Sequence, residues 1–190
     1  CMAHESDDFN RWEAGQRLSS RLILSLIELI HSGEELTLPD YYVDACKKIL
    51  LNNQLDKALI ARALSLPSLM YIGEMLPVIE VDEIHQAREF IYSHLAEQLQ
   101  DELLATYHGN DQGKFDLSPE SMGKRFLRNQ SLAYLMTLEQ HGEQLALSQY
   151  NNADNMTDQM AAFKAMLHHQ TASAGQVTDD FYRQWSQDNL

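Results

Sequence analysis

Helix-breaking residues are scarce: the 190-residue chain has eight glycines and four prolines, so long uninterrupted helices are open to it. Two cysteines, Cys1 and Cys46, cannot build a disulfide framework, and the fold must rest on its apolar interior. Cys46 lies in Tyr42-Val43-Asp44-Ala45-Cys46 and reads as a small core residue. Basic residues are also few. Fourteen Lys and Arg against 28 Asp and Glu leave a formal charge of −14. A chain that repels phosphate gains nothing from counterion release, so nucleic acid is not an expected partner, and an anionic membrane surface is not one for the same reason. The charge could draw cationic ligands such as the free amino end of a peptide. Long apolar runs are missing too. The longest, Leu22 to Ile30, is interrupted by Ser25 and Glu28 and is too short to span a bilayer. The first residues are polar with no cleavage pattern, and the expected location is cytoplasmic.

The motifs that carry chemistry are absent as well. A zinc peptidase needs two imidazoles one helical turn apart and a carboxylate beside them to activate water, which is the word His-Glu-x-x-His. The His-Glu pair here is His4-Glu5, and Asp8 stands where the second histidine would be. There is no Cys-x-x-Cys, no glycine-rich phosphate cradle and no Gly-x-Ser-x-Gly elbow. His85 and Glu89, four apart on a helix, could share a metal but read more simply as an exposed intrahelical pair. His168 and His169 are adjacent and point in different directions on a helix, so a shared ion is not expected of them. No catalytic residue and no metal ligand is therefore assigned. Asp7-Asp8, Glu34-Glu35 and Asp179-Asp180 read as solvated helix ends. Lys124, Arg125 and Arg128 form a basic cluster that stands out in an acidic chain. It reads as internal salt bridging, with a site for a substrate carboxylate or for another domain's acidic residues as the alternative, and Arg125 and Arg128 are the candidates to reach a ligand.

What is abundant is a helical period. Phe9, Trp12, Leu18, Leu22, Leu26 and Ile30 give the first helix one apolar face, with Ser6, Asp7 and Asp8 at its start and His31-Ser32-Gly33 at its close. Leu38-Pro39-Asp40 opens a second helix to about Asn52, with Tyr42, Val43, Cys46, Ile49 and Leu50 inward. A short third carries Leu55, Leu59 and Leu64. A fourth runs from Pro67 to before Pro77, with Met70, Tyr71 and Met75 as core. Asp82 caps the longest later helix, Glu83 to His108, whose stripe is Ile84, Ala87, Ile91, Leu95, Leu99 and Leu103. After the loop Gly109–Gly113, Ser118-Pro119 starts a helix to about Glu139. Further helices fit Glu143 to Tyr150, Met156 to His168 and Asp179 to Trp185. No stretch sustains two-residue alternation. The expected fold is all-α, an irregular bundle or stack of helix pairs with about eight or nine helices, without a repeat of fixed length.

Six local words go further. Ser6-Asp7-Asp8-Phe9-Asn10-Arg11-Trp12-Glu13-Ala14-Gly15-Gln16, Leu66-Pro67-Ser68, Asp82-Glu83-Ile84-His85-Gln86-Ala87-Arg88-Glu89, Gly123-Lys124-Arg125-Phe126-Leu127-Arg128-Asn129, Ala153-Asp154-Asn155-Met156-Thr157-Asp158 and Phe181-Tyr182-Arg183-Gln184-Trp185 occur in that order. Together they resemble the helical C-terminal region of bacterial aminopeptidase N. Their physics is structural: large anchors at Phe9 and Trp12, a helix entry at Asn155-Met156-Thr157, and a tie between helices at Arg128-Asn129.

The resemblance implies a parent zinc aminopeptidase that removes single residues from peptide N-termini. Its metal site would lie in an upstream domain, and zinc would belong to that parent and not to this chain. The implied partners are the catalytic and β-domains of the parent and its peptide substrate. Residues 1–5 would be the tail of the β-domain, and 6–190 the first part of the helical domain that covers the active site and limits peptide access. Helices parted from their neighbours would expose apolar surface and could self-associate. The alternative is a free-standing helical interaction module without enzymatic activity.

Overall fold

The computed structural model describes residues 8–111, 114–138 and 141–187, with the side chains of 8–11 left aside. The expected β-domain tail at 1–5, the caps Ser6 and Asp7, Gln112-Gly113 and Glu139 lie outside the described residues. Ten helices and no strand occur among those described: α1 Asp8–Ser32, α2 Asp40–Leu50, α3 Lys57–Ala63, α4 Leu69–Gly73, α5 Val81–Gln98, α6 Gln100–Gly109, α7 Pro119–Leu135, α8 Gly142–Asn152, α9 Met156–His168 and α10 Ala174–Trp185. The all-α expectation holds. Ten is close to the eight or nine expected, and one more arises because the long helix expected over 83–108 breaks at Leu99, whose φ of −122° and ψ of 24° leave the helical region between α5 and α6. The apolar stripe ran through that break without a signal: Ile84, Ala87, Ile91, Leu95, Leu99 and Leu103 are all buried. Asp82 is not the cap; it sits in the first turn of α5, after Glu80.

Helix ends follow local chemistry. α1 closes at Gly33, φ +67°, where the Gly33 N–H bonds to the Ile30 carbonyl and the Glu34 N–H to that of Leu29. Asp56, Ser68, Ser118 and Asn155 each cap a helix with a side-chain oxygen. Ser173, the residue before α10, is held by another helix. Glu143 of α8 accepts the N–H and the hydroxyl of Ser173, each at 2.7 Å, and the hydroxyl bond above all holds its carboxyl below the usual range. The carboxylate is thus favoured by folding. Its stabilisation is full above the unfolded pKa of about 4.3 and is lost as pH falls through the depressed folded value. Urea midpoints measured from pH 6 down to pH 3 are expected to fall less steeply for Glu143→Gln than for the parent.

α7 is the hub. It packs on α3, α6, α9, α5 and α8, while α1 lies against α5 and α3, and α8 and α9 form a pair that carries α10. α7 contributes Leu127, Leu132, Tyr134 and Leu135 to one continuous core. The Tyr134 hydroxyl donates to the Leu64 carbonyl at 2.6 Å, and complete burial pushes its phenol well above the ordinary range. Cys46 is a core residue as expected, with burial pushing its thiol up to about 12.

Two expectations on burial are corrected. The inward face of α1 is Ser19, Ser20, Ile23, Leu26 and Ile27, whereas Leu18, Leu22 and Ile30 are only partly covered. Two serines mask this face in the sequence. Ser19 is tolerated inside because its hydroxyl meets that of Tyr42 at 2.9 Å, and Ser20 because it donates to the Gln16 carbonyl. Met70, Tyr71 and Met75 are not core: they are 74%, 47% and 48% exposed. α4 is only five residues long and buries just Ile72 and Gly73, so one short face cannot cover the rest.

The start of α8 is tight. A Cβ on Gly142 would stand 2.6 Å from the Met136 Cα and 2.7 Å from the Leu135 carbonyl oxygen, both backbone. Gly142→Ala is expected to cost about 1–3 kcal/mol by overpacking, read as a lower urea midpoint.

Candidate functional site

The basic cluster lies where α7 meets the loop before it and the connection from α8 to α9. Arg125 is buried. It donates to the Asp116 carbonyl at 2.7 Å, and its guanidinium lies 4.9 Å from the centre of the Phe115 ring. The Phe115 N–H in turn donates to Asp154 at 2.7 Å, and the Asn155 side chain, then this bond, holds the Asp154 carboxyl below its usual range. Arg128 lies 4.8 Å over the Tyr107 ring and reaches Asp111 at 3.4 Å and the Tyr107 hydroxyl at 3.5 Å, both long contacts. Its Nε is buried without a hydrogen-bond partner. Lys124 pairs with Glu120 one turn back at 2.6 Å. The reading of this cluster as internal pairing therefore suits Lys124 and Arg125, while Arg128 is held more loosely.

Next to the arginines, two of the words that carried the resemblance meet in space. Asn129 of α7 donates to Asp158 of α9 at 2.8 Å, and Asn155 donates to the other carboxylate oxygen at 3.0 Å. Gln149 of α8 donates to the Asn129 side chain at 2.7 Å and to the Asp158 carbonyl at 3.0 Å. Asp158 and Gln149 are buried, and the Gln149 Oε1 has no partner. The expected tie at Arg128-Asn129 is thus a three-helix junction, and the expected helix entry at Asn155 is its rim. Sequence reading missed Gln149, which sits at an ordinary position within α8 and has no local signal. Above the junction opens a cleft of about 210 Å³ whose charged walls are Lys114, Arg125, Arg128, Asp111, Asp154 and Asp158. It offers balanced charge and hydrogen bonds, and no Ser, Thr, Cys or His lines it among the described residues. A larger hollow of about 750 Å³ between α3 and α7 has, among the described residues, Asp56 and Arg62 as its ionisable lining groups.

The histidines come together elsewhere. His85 and Glu89 stand one turn apart on α5, and the end of α9 brings His168 to them. Glu89 Oε1 and His168 Nε2 are 3.1 Å apart, and the three residues' ligating atoms all fall within 4.8 Å of one another. His169 lies with its ring 4.9 Å from that of His168, and burial first of all lowers its pKa. Glu34-Glu35 lies exposed just past the end of α1 as expected, whereas Asp179-Asp180 does not mark a helix end: α10 starts five residues earlier, at Ala174, and the pair sits mid-helix with Asp179 exposed and Asp180 half-buried. The side chains of Asp7-Asp8 are outside the described residues.

The model of the family described as a domain of unknown function (DUF3458_C) with ARM repeats matches residues 1–190. The chain belongs to this family. Stacked helix pairs agree with that description, although no repeat of fixed length is visible in the sequence. Over its whole length the chain is 35% identical to aminopeptidase N of Escherichia coli strain K12, of which it covers 22%. It is 29% identical over 184 residues to aminopeptidase N of Haemophilus influenzae, and 31% over 192 to that of Caulobacter vibrioides, in each case covering 21% of the relative. The chain thus spans about a fifth of these relatives. The crystal structure of Legionella pneumophila aminopeptidase A in complex with aspartic acid superposes with a TM-score of 0.83 at 22% identity, covering 98% of this chain and 23% of that one. That likeness establishes the fold. The resemblance to bacterial aminopeptidase N carried by six words therefore holds along the whole chain.

The residues present do not fit a peptidase zinc centre. Gln86 follows His85, so the carboxylate that would activate water in His-Glu-x-x-His is missing, and Glu89 stands where the second histidine would be.

Proposed function

We propose that the chain is the non-catalytic helical part of a longer, cytoplasmic zinc aminopeptidase that removes N-terminal residues from peptides, and that it helps form the domain that covers the active site and limits peptide access. The observation that carries this reading is likeness to aminopeptidase N along the full chain while spanning only about a fifth of those relatives. The missing His-Glu-x-x-His agrees with it. So does the exposed apolar strip Met70, Tyr71, Met75, Val78, Ile79 and Val81, which the remainder of the longer protein would cover. In the chain alone the same strip is where copies would associate.

Two experiments test this reading. The longer protein is expected to hydrolyse an alanyl chromogenic amide, and the 190-residue chain is not, with or without added zinc. Zinc-dependent turnover by the chain that His85→Ala abolishes would overturn the reading. Met70→Asp with Val78→Asp should then change the chain's own stability by only about 0.5 kcal/mol, since both sites are exposed, yet destabilise the longer protein several-fold more. An equally small change in both would remove the support that the strip lends, and would favour the free-standing module. A light-scattering mass of one chain throughout the micromolar range would count against self-association.

A further inference from the structure

We infer that His85, Glu89 and His168 form a binding site for one divalent transition-metal ion, zinc(II) or a neighbouring first-row ion, that staples α5 to α9. The inference rests on how the fold assembles the ligands. His85 and Glu89 are one helical turn apart, so their side chains leave the same face of α5. His168 is the last residue of α9 and is 79 positions from Glu89 in the chain, yet its Nε2 already sits 3.1 Å from the Glu89 carboxylate. The His85 and His168 rings meet edge to face, with centroids 5.6 Å apart.

Tetrahedral coordination at about 2.1 Å places ligand atoms roughly 3.4 Å apart. The three ligating atoms here lie within 4.8 Å of one another, so a small rotamer adjustment closes the site. That adjustment is open to them, because the Glu89 and His168 side chains are 33% and 52% exposed and His85 is exposed. Two imidazoles and one carboxylate suit zinc, copper, nickel or cobalt and not magnesium or calcium, which prefer all-oxygen sites. Three protein ligands leave a fourth position to water. The ion would bridge helices that otherwise pack chiefly on other partners, α9 on α8, α7 and α10, and α5 on α1, α4, α6 and α7. Metal binding should therefore register as stability of the whole chain.

Zinc titration of the 190-residue chain by calorimetry, with thermal melts alongside, tests the site. One equivalent is expected to bind and to raise the melting temperature, and millimolar magnesium should not compete. His85→Ala and His168→Ala should each weaken binding roughly tenfold or more, since even outer-shell changes cost that much at metal sites. His31→Ala, which removes a separate exposed pair with Glu80, should leave binding unchanged. In the unsubstituted chain, the ring signals of His85 and His168 should shift with zinc in nuclear magnetic resonance spectra while those of His31 and His94 stay in place. No saturable binding at high micromolar zinc would overturn the inference. So would binding that survives His85→Ala with His168→Ala, or ring shifts spread evenly over the histidines.

Discussion

Leu135→Ala is expected to cost about 2–5 kcal/mol, because it opens a cavity in a fully buried layer that cannot collapse from one side. Leu135 is completely buried at the end of α7, next to Leu132 and Tyr134, and α7 is the helix against which five others pack. The helix that carries it packs on α3, α5, α6, α8 and α9, so α7 is held from several sides and has little freedom to shift into the void. For a chain of this length each kcal/mol moves the melting temperature by about 2–4 °C, so a drop on the order of 10 °C is expected. Leu135→Met keeps the volume and should cost under about 1.5 kcal/mol. The urea midpoint should fall for the alanine variant with the slope unchanged. A loss below about 1 kcal/mol would mean that the hub relaxes freely and that α7 does not organise the core.

The elements readable from sequence were those whose signals are local. Gly33, Ser118 and Asn155 mark helix ends by chemistry confined to a few residues, and α9 runs from Met156 to His168 just as its period indicates. Three features were not local. The break at Leu99 interrupts a stripe that stays buried on both sides, so periodicity alone runs straight through it. The true face of α1 is hidden by Ser19 and Ser20, whose burial depends on the Tyr42 hydroxyl and on a backbone carbonyl one turn back. The exposure of Met70, Tyr71 and Met75 depends on what covers α4, which composition cannot state. The same holds for the candidate sites. Asn129 was legible as a tie and Asn155 as a helix entry, but Gln149 and the meeting of His168 with Glu89 arise only when α8 and α9 fold back on α5 and α7.

Asp158→Ala is the substitution that should damage the polar junction most, by about 2–4 kcal/mol, because two charged hydrogen bonds are lost and the Asn129 donor is stranded. The buried Asp158 carboxylate takes the Asn129 amide on one oxygen and the Asn155 amide on the other, at 2.8 and 3.0 Å. Removing it takes the acceptor from the Asn129 amide beside Gln149, whose Oε1 already lacks a partner, and one of two acceptors from Asn155. Asn155 keeps the Asp154 carboxylate as a second acceptor at 3.1 Å, while Asn129, between α7 and α9, has less freedom. The backbone cap of α9 is untouched, since Asn155 still accepts the N–H of residue 158. Asp158→Asn keeps the shape but turns one acceptor into a donor facing a donor, and should cost about half as much. The contact is isolated by crossing Asp158→Ala with Asn129→Ala. A coupling of about 1–3 kcal/mol is expected if the two side chains stabilise the junction through each other. Additivity within about 0.5 kcal/mol would mean that each side chain acts alone and that α7 and α9 are joined by apolar packing only.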